Sequence, residues 1–496
     1  MAYIFGDGFD CYAAIGDPLL GYWDSGQTSG YSLVAGRFAG GQALQCNTGV
    51  VPGFTKASNV NDGVHHITVA FRQTATLTGT LPAFYFNFFD GTTAQCSITF
   101  RGDGGIMLTS GLQTGTVLDT YTGAVSAVNT WFQFEFEVDI SNTVGSWAVR
   151  KNGNTVNDRA LGGLNTRTSA NNYANKLTFG QHNSVNAVQI DDLLWRSDAS
   201  SVPWVGDIRC QTRMPASDVS AQFARAPSSL VGVTGSQVGN TAMLSTNIRY
   251  TPITASMDGT VSGVTFGLSS SYTGNMKCAV FADAAGSPGA IVATATAPVT
   301  NAPSGVSTFS FSPAFAVARG RQYWIGFSLD TSIGVGSIAY VPIATAWNGT
   351  AISYASFPQA NPAGLASGNT NYFHSWTITP ASNYGVVNDP QQDALTTYVY
   401  DATPGHADLY TISAIANPPV STIAVTTRAL AQKSDAGTRT MEVRLKSGAT
   451  TVASAVSVMV PTWGWIYRTD TTDPATGTAW TASGVAAAQI GPAVVA

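Results

Sequence analysis

The chain has 496 residues and a formal net charge of −5, with 44% apolar but only 10% charged residues. This balance leaves no basic stripe for nucleic acid. Nor does any stretch reach the ~18 uninterrupted apolar residues that mark a membrane span. Glutamate occurs only at 135, 137 and 442, while glycine occurs 51 times beside abundant Thr, Ser and Val. Exposed helix faces are normally filled with Glu and Lys, so their scarcity points to an all-β chain. The opening MAYIFGDGFD has neither the basic start nor the apolar run of a secretory signal. The five cysteines lack CxxC spacing and read as buried thiols of a chain folded in a reducing cytoplasm.

From Met1 to about Trp204 the sequence alternates tightly. HHITVAFRQ, PAFYFNFFD, AQCSITFRG, WFQFEFEVDI, GSWAVRKNG, KLTFGQHN and VQIDDLLWR are strand-length runs bounded by turn residues. In the fourth of these, Phe134, Phe136, Val138 and Ile140 share one face, and Glu135, Glu137 and Asp139 share the other. Trp147 and Val149 then alternate with Ala148 and Arg150, and Asn152-Gly153 predicts a tight hairpin turn. A short charged stretch, GDIRCQTRMPASDVSAQFAR, follows at 206–225. Strand-like runs between Gly/Pro/Asn-rich loops fill 229–381, including GNMKCAVFAD, QYWIGFSLD and YFHSWTITP. They suit a sandwich or jelly roll. The last region, from about Asn388, adds further strands and one short helix over Thr481–Ile490, with Thr481 or Ser483 as N-cap, before a final strand.

The segments GDGFDCYA, YWDSG and AGRFAGGQAL, the strand pair WFQFEFEVDI…GSWAVRKNGNTV and the run VQIDDLLWR resemble tailed-bacteriophage virion proteins with a concanavalin A-like (laminin G-like) jelly roll. GDIRCQTRMP together with the region after Asp393 resembles a β module that accompanies that jelly roll. The resemblance implies an all-β chain of three parts. A jelly roll spans 1–205, a β-rich module is split between 206–227 and 386–496, and a β-sandwich is inserted at 228–385. Insertions are tolerated at exposed loop tips.

Candidate chemistry is sparse. Glycosidases on this fold carry paired carboxylates on one strand, about 5–5.5 Å apart in retaining enzymes. Glu135, Glu137 and Asp139 depart from the Glu-x-Asp-x-x-Glu pattern of such enzymes, and they read as the solvated face of a strand. Asp191 and Asp192 offer oxygens to a hard cation, but they lack a D-x-D-x-D-G loop and read as an acidic strand-end turn. Adjacent His65 and His66 point to opposite faces and cannot chelate one metal. Arg101–Asp103 reads as a hairpin turn. No catalytic, cofactor or metal residue is therefore assigned. Aromatic rings with polar neighbours can stack on sugars. The glycan-binding candidates are Tyr22, Trp23, Tyr85, Tyr323, Trp324, Tyr372 and Trp376, and Trp465 and Tyr467 lie in a similar setting. Trp131, Trp147 and Trp195 are expected in the core.

The resemblance implies a non-enzymatic virion protein, made in the host cytoplasm. It would be a peripheral tail component (fibre, tip or minor tail protein) or a capsid fibre or decoration. Its expected partners are other virion proteins, itself as a homotrimer and host surface polysaccharide, with no nucleic acid and no membrane insertion. A polysaccharide depolymerase using the strand carboxylates and a secreted bacterial lectin are the competing expectations.

Overall fold

The computed structural model describes the chain apart from residues 1–2, 18–20, 48, 76–77, 185–187, 226–228, 234–238, 244–247, 269, 350–352, 363–364, 373, 390–397 and 415–420. It divides into two compact units. One comprises 1–214, 389–393 and 402–496, and the other comprises 215–388 and 394–401.

The first unit begins with a two-sheet sandwich. Its strands, in chain order, are β1 (Tyr3–Asp7), β2 (Tyr31–Ala35), β3 (Gln42–Cys46), β4 (Gly49–Asp62), β5 (Val64–Gln73), β6 (Pro82–Asp90) and β7 (Thr93–Arg101). They continue with β8 (Ile106–Ser110), β9 (Thr116–Tyr121), β10 (Phe132–Asp139), β11 (Gly145–Lys151), β12 (Arg159–Leu164), β13 (Ala174–Ser184) and β14 (Val188–Asp198). The eight-stranded sheet runs β12-β11-β10-β5-β14-β3-β2, with β1 added to β14, and the six-stranded sheet runs β4-β13-β6-β7-β8-β9. This is a concanavalin A-like jelly roll. Its core follows from alternation. Phe134, Phe136 and Val138 of β10 are fully buried against Phe84, Phe86, Ile98 and Phe100 of the facing sheet. Phe71 stacks on Phe100 with centroids 3.9 Å apart. Burying each such side chain contributes about 1.5–3 kcal/mol, so the pattern fixes which face of each strand turns inward.

Asn152 and Gly153 adopt positive φ (52° and 75°), as their sequence predicts. The connection is longer than a two-residue hairpin, however, because β12 starts only at Arg159. Asp158 holds the intervening loop by accepting from Lys151 N at 2.8 Å and from Asn154 Nδ2. The Arg101–Asp103 turn closes through Gly104 N to Arg101 O at 3.1 Å. Trp147 and Trp195 are core residues. Trp131 is only partly buried, under the guanidinium of Arg72 at 4.7 Å.

The C-terminal part of this unit is a smaller β-rich module. Its central strand Thr440–Ser447 pairs with Gln489–Val494 on one side and with Thr450–Ala453 and Ser457–Val458 on the other. Leu409–Ile412 pairs with the far edge of Gln489–Val494. Strands Val425–Ala431 and Gly464–Asp470 form a separate antiparallel pair. The expected helix spans Ala482–Ala487, and the Thr481 side chain caps it by accepting from Gly484 N at 3.0 Å.

In sequence, the second unit lies between the jelly roll and this module. A twelve-stranded sheet system builds it around the strands Gly259–Leu268, Asn275–Asp283, Gln322–Leu329 and His374–Pro380. Its main core includes Val261, Val264, Phe266, Cys278, Val280, Phe309, Ile325, Phe327, Trp376 and Ile378. A second, smaller cluster joins Ala279, Phe281 and Trp324, at alternate positions of the same strands, to Tyr250 of strand Ile248–Thr254 and to Phe357.

Candidate functional site

The acidic row of β10, expected on the solvated face, is solvated only in part: Glu137 and Asp139 are half-buried, and Glu135 is covered. After β14 the chain turns back, and residues 203–210 lie over this face of the sheet. Glu135, 2% exposed, accepts from Val205 N at 2.7 Å and Gly206 N at 2.9 Å, one bond on each carboxylate oxygen. Arg196 Nη2 lies 3.4 Å from the first oxygen and donates to Pro203 O at 2.6 Å. Glu137 Oε2 meets His66 Nε2 at 2.6 Å. The Trp204 ring stands edge-on to His66, and the Arg150 guanidinium covers Trp204 at 4.1 Å. Asp139 is held above the usual carboxylate range by partial burial and by Glu137. Glu135 is therefore a fastening for the returning segment. Alternation placed these acids opposite the core, but it carried no information about what covers them.

His65, one residue away, points inward as the alternation requires. Its ring packs on Phe88 and Trp195, and burial pushes its pKa down to about 4.

Asp191 and Asp192 do not form a strand-end turn either. They sit mid-strand in β14, at a bulge in its pairing with β5, and Asp192 has φ +50°. Asp191 accepts from Arg37 N at 2.8 Å and from Asp192 N at 2.7 Å, and Asp192 accepts from Cys210 N at 2.7 Å. Arg37 Nη1 lies 3.6 Å from Asp192 Oδ2, and Arg37 also forks onto Asp207 with a contact of 2.6 Å. Burial pushes both aspartates upward, and the Asp192 charge raises Asp191 further. Their oxygens are directed at backbone N–H groups and Arg37. Among the described residues, no group of three or more His, Cys, Asp or Glu side chains is arranged to hold a metal ion.

The aromatic candidates are mostly interior. Tyr22 and Trp23 are 2% and 1% exposed. Tyr22 donates to Gly6 O, and Trp23 Nε1 donates to Asp7 Oδ2 at 2.9 Å. Tyr323 accepts from Ala318 N at 3.0 Å and packs edge-on to the fully buried Trp376. Trp324 Nε1 donates to Asp283 at 2.8 Å from within the smaller core. None of these five rings presents a face to solvent. Tyr323, Trp324 and Trp376 lie on strands covered on both sides at these positions, and Tyr22 and Trp23 lie in a turn folded onto the jelly-roll core. The Tyr372 side chain lies outside the described residues.

Tyr85 is different in kind. It is also buried, but it lies on the side of β6 away from Phe84 and Phe86, opposite Thr99 and Gly180. Its neighbours on that face form a polar row that the sequence reading missed. Thr178, Asn87, Ser97 and Thr109 stand in register across β13, β6, β7 and β8. Asn87 Nδ2 donates to Gln113 Oε1 at 3.0 Å, and Gln113 Nε2 lies 3.4 Å from His182 Nδ1. Asn87 Oδ1 is buried and accepts no hydrogen bond. The available signal was the run PAFYFNFFD, whose apolar face leaves Tyr85 and Asn87 together on the other. This lining offers uncharged donors and acceptors beside an aromatic ring, and it contains no acid–base pair.

No protein-family profile and no curated protein sequence matches the chain. Among solved structures it is similar to the cellulose-induced protein Cip1, at 15% identity and a TM-score of 0.25, over 39% of this chain and 90% of that one. It is also similar to the catalytic domain of a glycoside hydrolase family 131 protein from Coprinopsis cinerea, at 13% identity and a TM-score of 0.28, over 42% and 98%. A third is the Ca2+-bound exoplasmic/lumenal domain of VIP36, at 9% identity and a TM-score of 0.26, over 41% and 93%. Identities and scores this low carry no functional argument, and the fold stands on the strand order given above.

Proposed function

We propose that this chain is a non-enzymatic structural protein of a tailed-phage or phage-like particle, with a jelly roll that contacts host surface glycan. It belongs at the periphery, as a tail fibre, tail tip or minor tail protein, or as a capsid fibre or decoration. The observation that carries the non-enzymatic reading is the bonding of Glu135. Each oxygen of that carboxylate accepts from the backbone of the returning segment, and Arg196 adds a cation. A nucleophile or general acid needs access to substrate and a pKa set apart from its neighbour's, and Glu135 lacks the access. The virion reading rests on the sequence resemblance of GDGFDCYA, the β10–β11 pair and the C-terminal module. Five free cysteines, four of them buried, support folding in the host cytoplasm. The glycan reading rests on the Tyr85–Asn87–Gln113–His182 face. Self-association as a homotrimer follows the same resemblance.

Two measurements test this. Mass spectrometry of purified particles, with immunogold imaging, is expected to find the protein at the particle periphery. Its absence from particles sinks the virion reading. Incubated with host polysaccharide, the protein is expected to bind without generating new reducing ends. Shortening of the polymer sinks the non-enzymatic reading in favour of a depolymerase.

A further inference from the structure

The C-terminal strand pair has two faces with different partners. Ala429 and Ile466 pack with Val443 and Met459 of their own module. The register sets Arg428 opposite Tyr467, with Trp465 two residues along on the same face. That second face meets the N-terminal segment of the jelly roll, more than 400 residues away in sequence.

The contact is reciprocal. Arg428, from the C-terminal pair, lies over Tyr12 and Tyr22 of the jelly roll at 5.4 and 4.8 Å and over Trp465 at 5.1 Å. It donates to Tyr12 Oη at 3.3 Å and to Cys11 Sγ. Lys56, from the jelly roll, is 3% exposed and lies 5.1 Å from the Tyr467 ring centroid. Its Nζ donates to Tyr467 Oη at 2.9 Å, to Tyr22 O at 2.6 Å and to Asp24 at 3.1 Å. Tyr22 and Tyr467 themselves pack edge to face at 5.1 Å. Trp465 Nε1 donates to Asp17 O at 3.2 Å. Gly21, beside the Trp465 backbone, has φ +96°, a conformation that favours glycine.

Each side thus contributes a cation to the aromatic rings of the other. A buried cation is tolerated only where hydrogen bonds and rings replace its water, so neither surface is complete alone. We infer that the jelly-roll face made by Tyr12, Tyr22 and Lys56 is a receptor surface for the strand pair Val425–Ala431/Gly464–Asp470. The lock holds the C-terminal module without covalent help. The chain can then be cut between the two without shedding the module, a property that suits a protein exposed to proteases. This inference does not depend on the proposed function.

The test uses the full chain. A site-specific protease sequence is placed in the exposed Thr403–Gly405 turn, the chain is cleaved, and the products are run on gel filtration in native buffer. The wild-type C-terminal fragment is expected to co-elute with the remainder. Arg428→Met and, separately, Lys56→Met are expected to elute normally uncleaved and to lose the fragment once cleaved. Separation of the wild-type pieces in native buffer overturns the inference, as does co-elution in both cleaved variants. Met214 also bonds Ser413 across the cut, so the comparison of variant with wild type decides; where either Met variant does not fold, Trp465→Ala and Tyr467→Ala take its place and are expected to lose the fragment.

Discussion

Glu135 shows how little a residue's type says about its role. Its carboxylate satisfies two backbone N–H groups and faces a partly desolvated guanidinium; Glu135→Ala would orphan both N–H groups and leave Arg196 with its Pro203 O bond but no counter-charge. Breaking a buried charged network costs about 3–5 kcal/mol. Urea unfolding of the variant is expected to show a loss near the lower end of that range, and a loss under about 0.5 kcal/mol, typical of an open surface site, would mean the segment is not fastened there. Asp191 and Asp192 make a pH prediction. Their folded-state pKa values are raised by burial, so the folded chain binds protons that the unfolded chain has released. Their contribution is fully present below the ordinary aspartate value of 3.8 and is lost as pH rises through the raised values. Stability of the first unit is expected to fall as pH rises from 4 towards neutrality, and Asp191→Asn is expected to flatten that slope in thermal melts. An equal slope in the variant would place the pH dependence elsewhere. The aromatic residues carry the same lesson. Tyr22, Trp23 and Trp324 sit in runs rich in turn and polar residues, which resemble exposed platforms. Burial of those rings depends on segments distant in sequence.

At the scale of elements, local signals were readable where one face is buried and the turn chemistry is specific. The alternation of β10 and β11, the positive φ at Asn152-Gly153 and the Thr481 cap all follow from neighbouring residues. Thr481→Ala removes the bond to Gly484 N, and an N-cap of this kind contributes about 1 kcal/mol. A shift of that order in denaturant midpoint is expected. An unchanged midpoint would mean that tertiary packing alone holds the helix. The β14 bulge was not readable. VQIDDLLWR alternates poorly around Asp191-Asp192, and the sequence could not distinguish a strand end from a bulge whose acids turn inward to fasten Arg37 and Cys210. The polar face of the six-stranded sheet was half readable. Tyr85 was identified by its residue type and Asn87 shares its face by alternation along β6, whereas Gln113 and His182 join them only through strand pairing and loop closure.

At the scale of the whole molecule, the chain forms two compact units, each with its own core. Calorimetry is expected to resolve two transitions. Arg428→Met is expected to lower the transition of the unit that contains the jelly roll and to leave the other in place. A shift of both, or of neither, would contradict the placement of Arg428 in a local lock. The sequence by itself determined the all-β class, most strand positions and the inward face of each, because hydrophobic alternation and turn residues act over a few positions. Only the tertiary structure decided what covers the outward faces. The 203–210 segment over Glu135 and the Arg428–Lys56 lock join residues up to hundreds of positions apart, and no local periodicity records which surfaces such segments will meet.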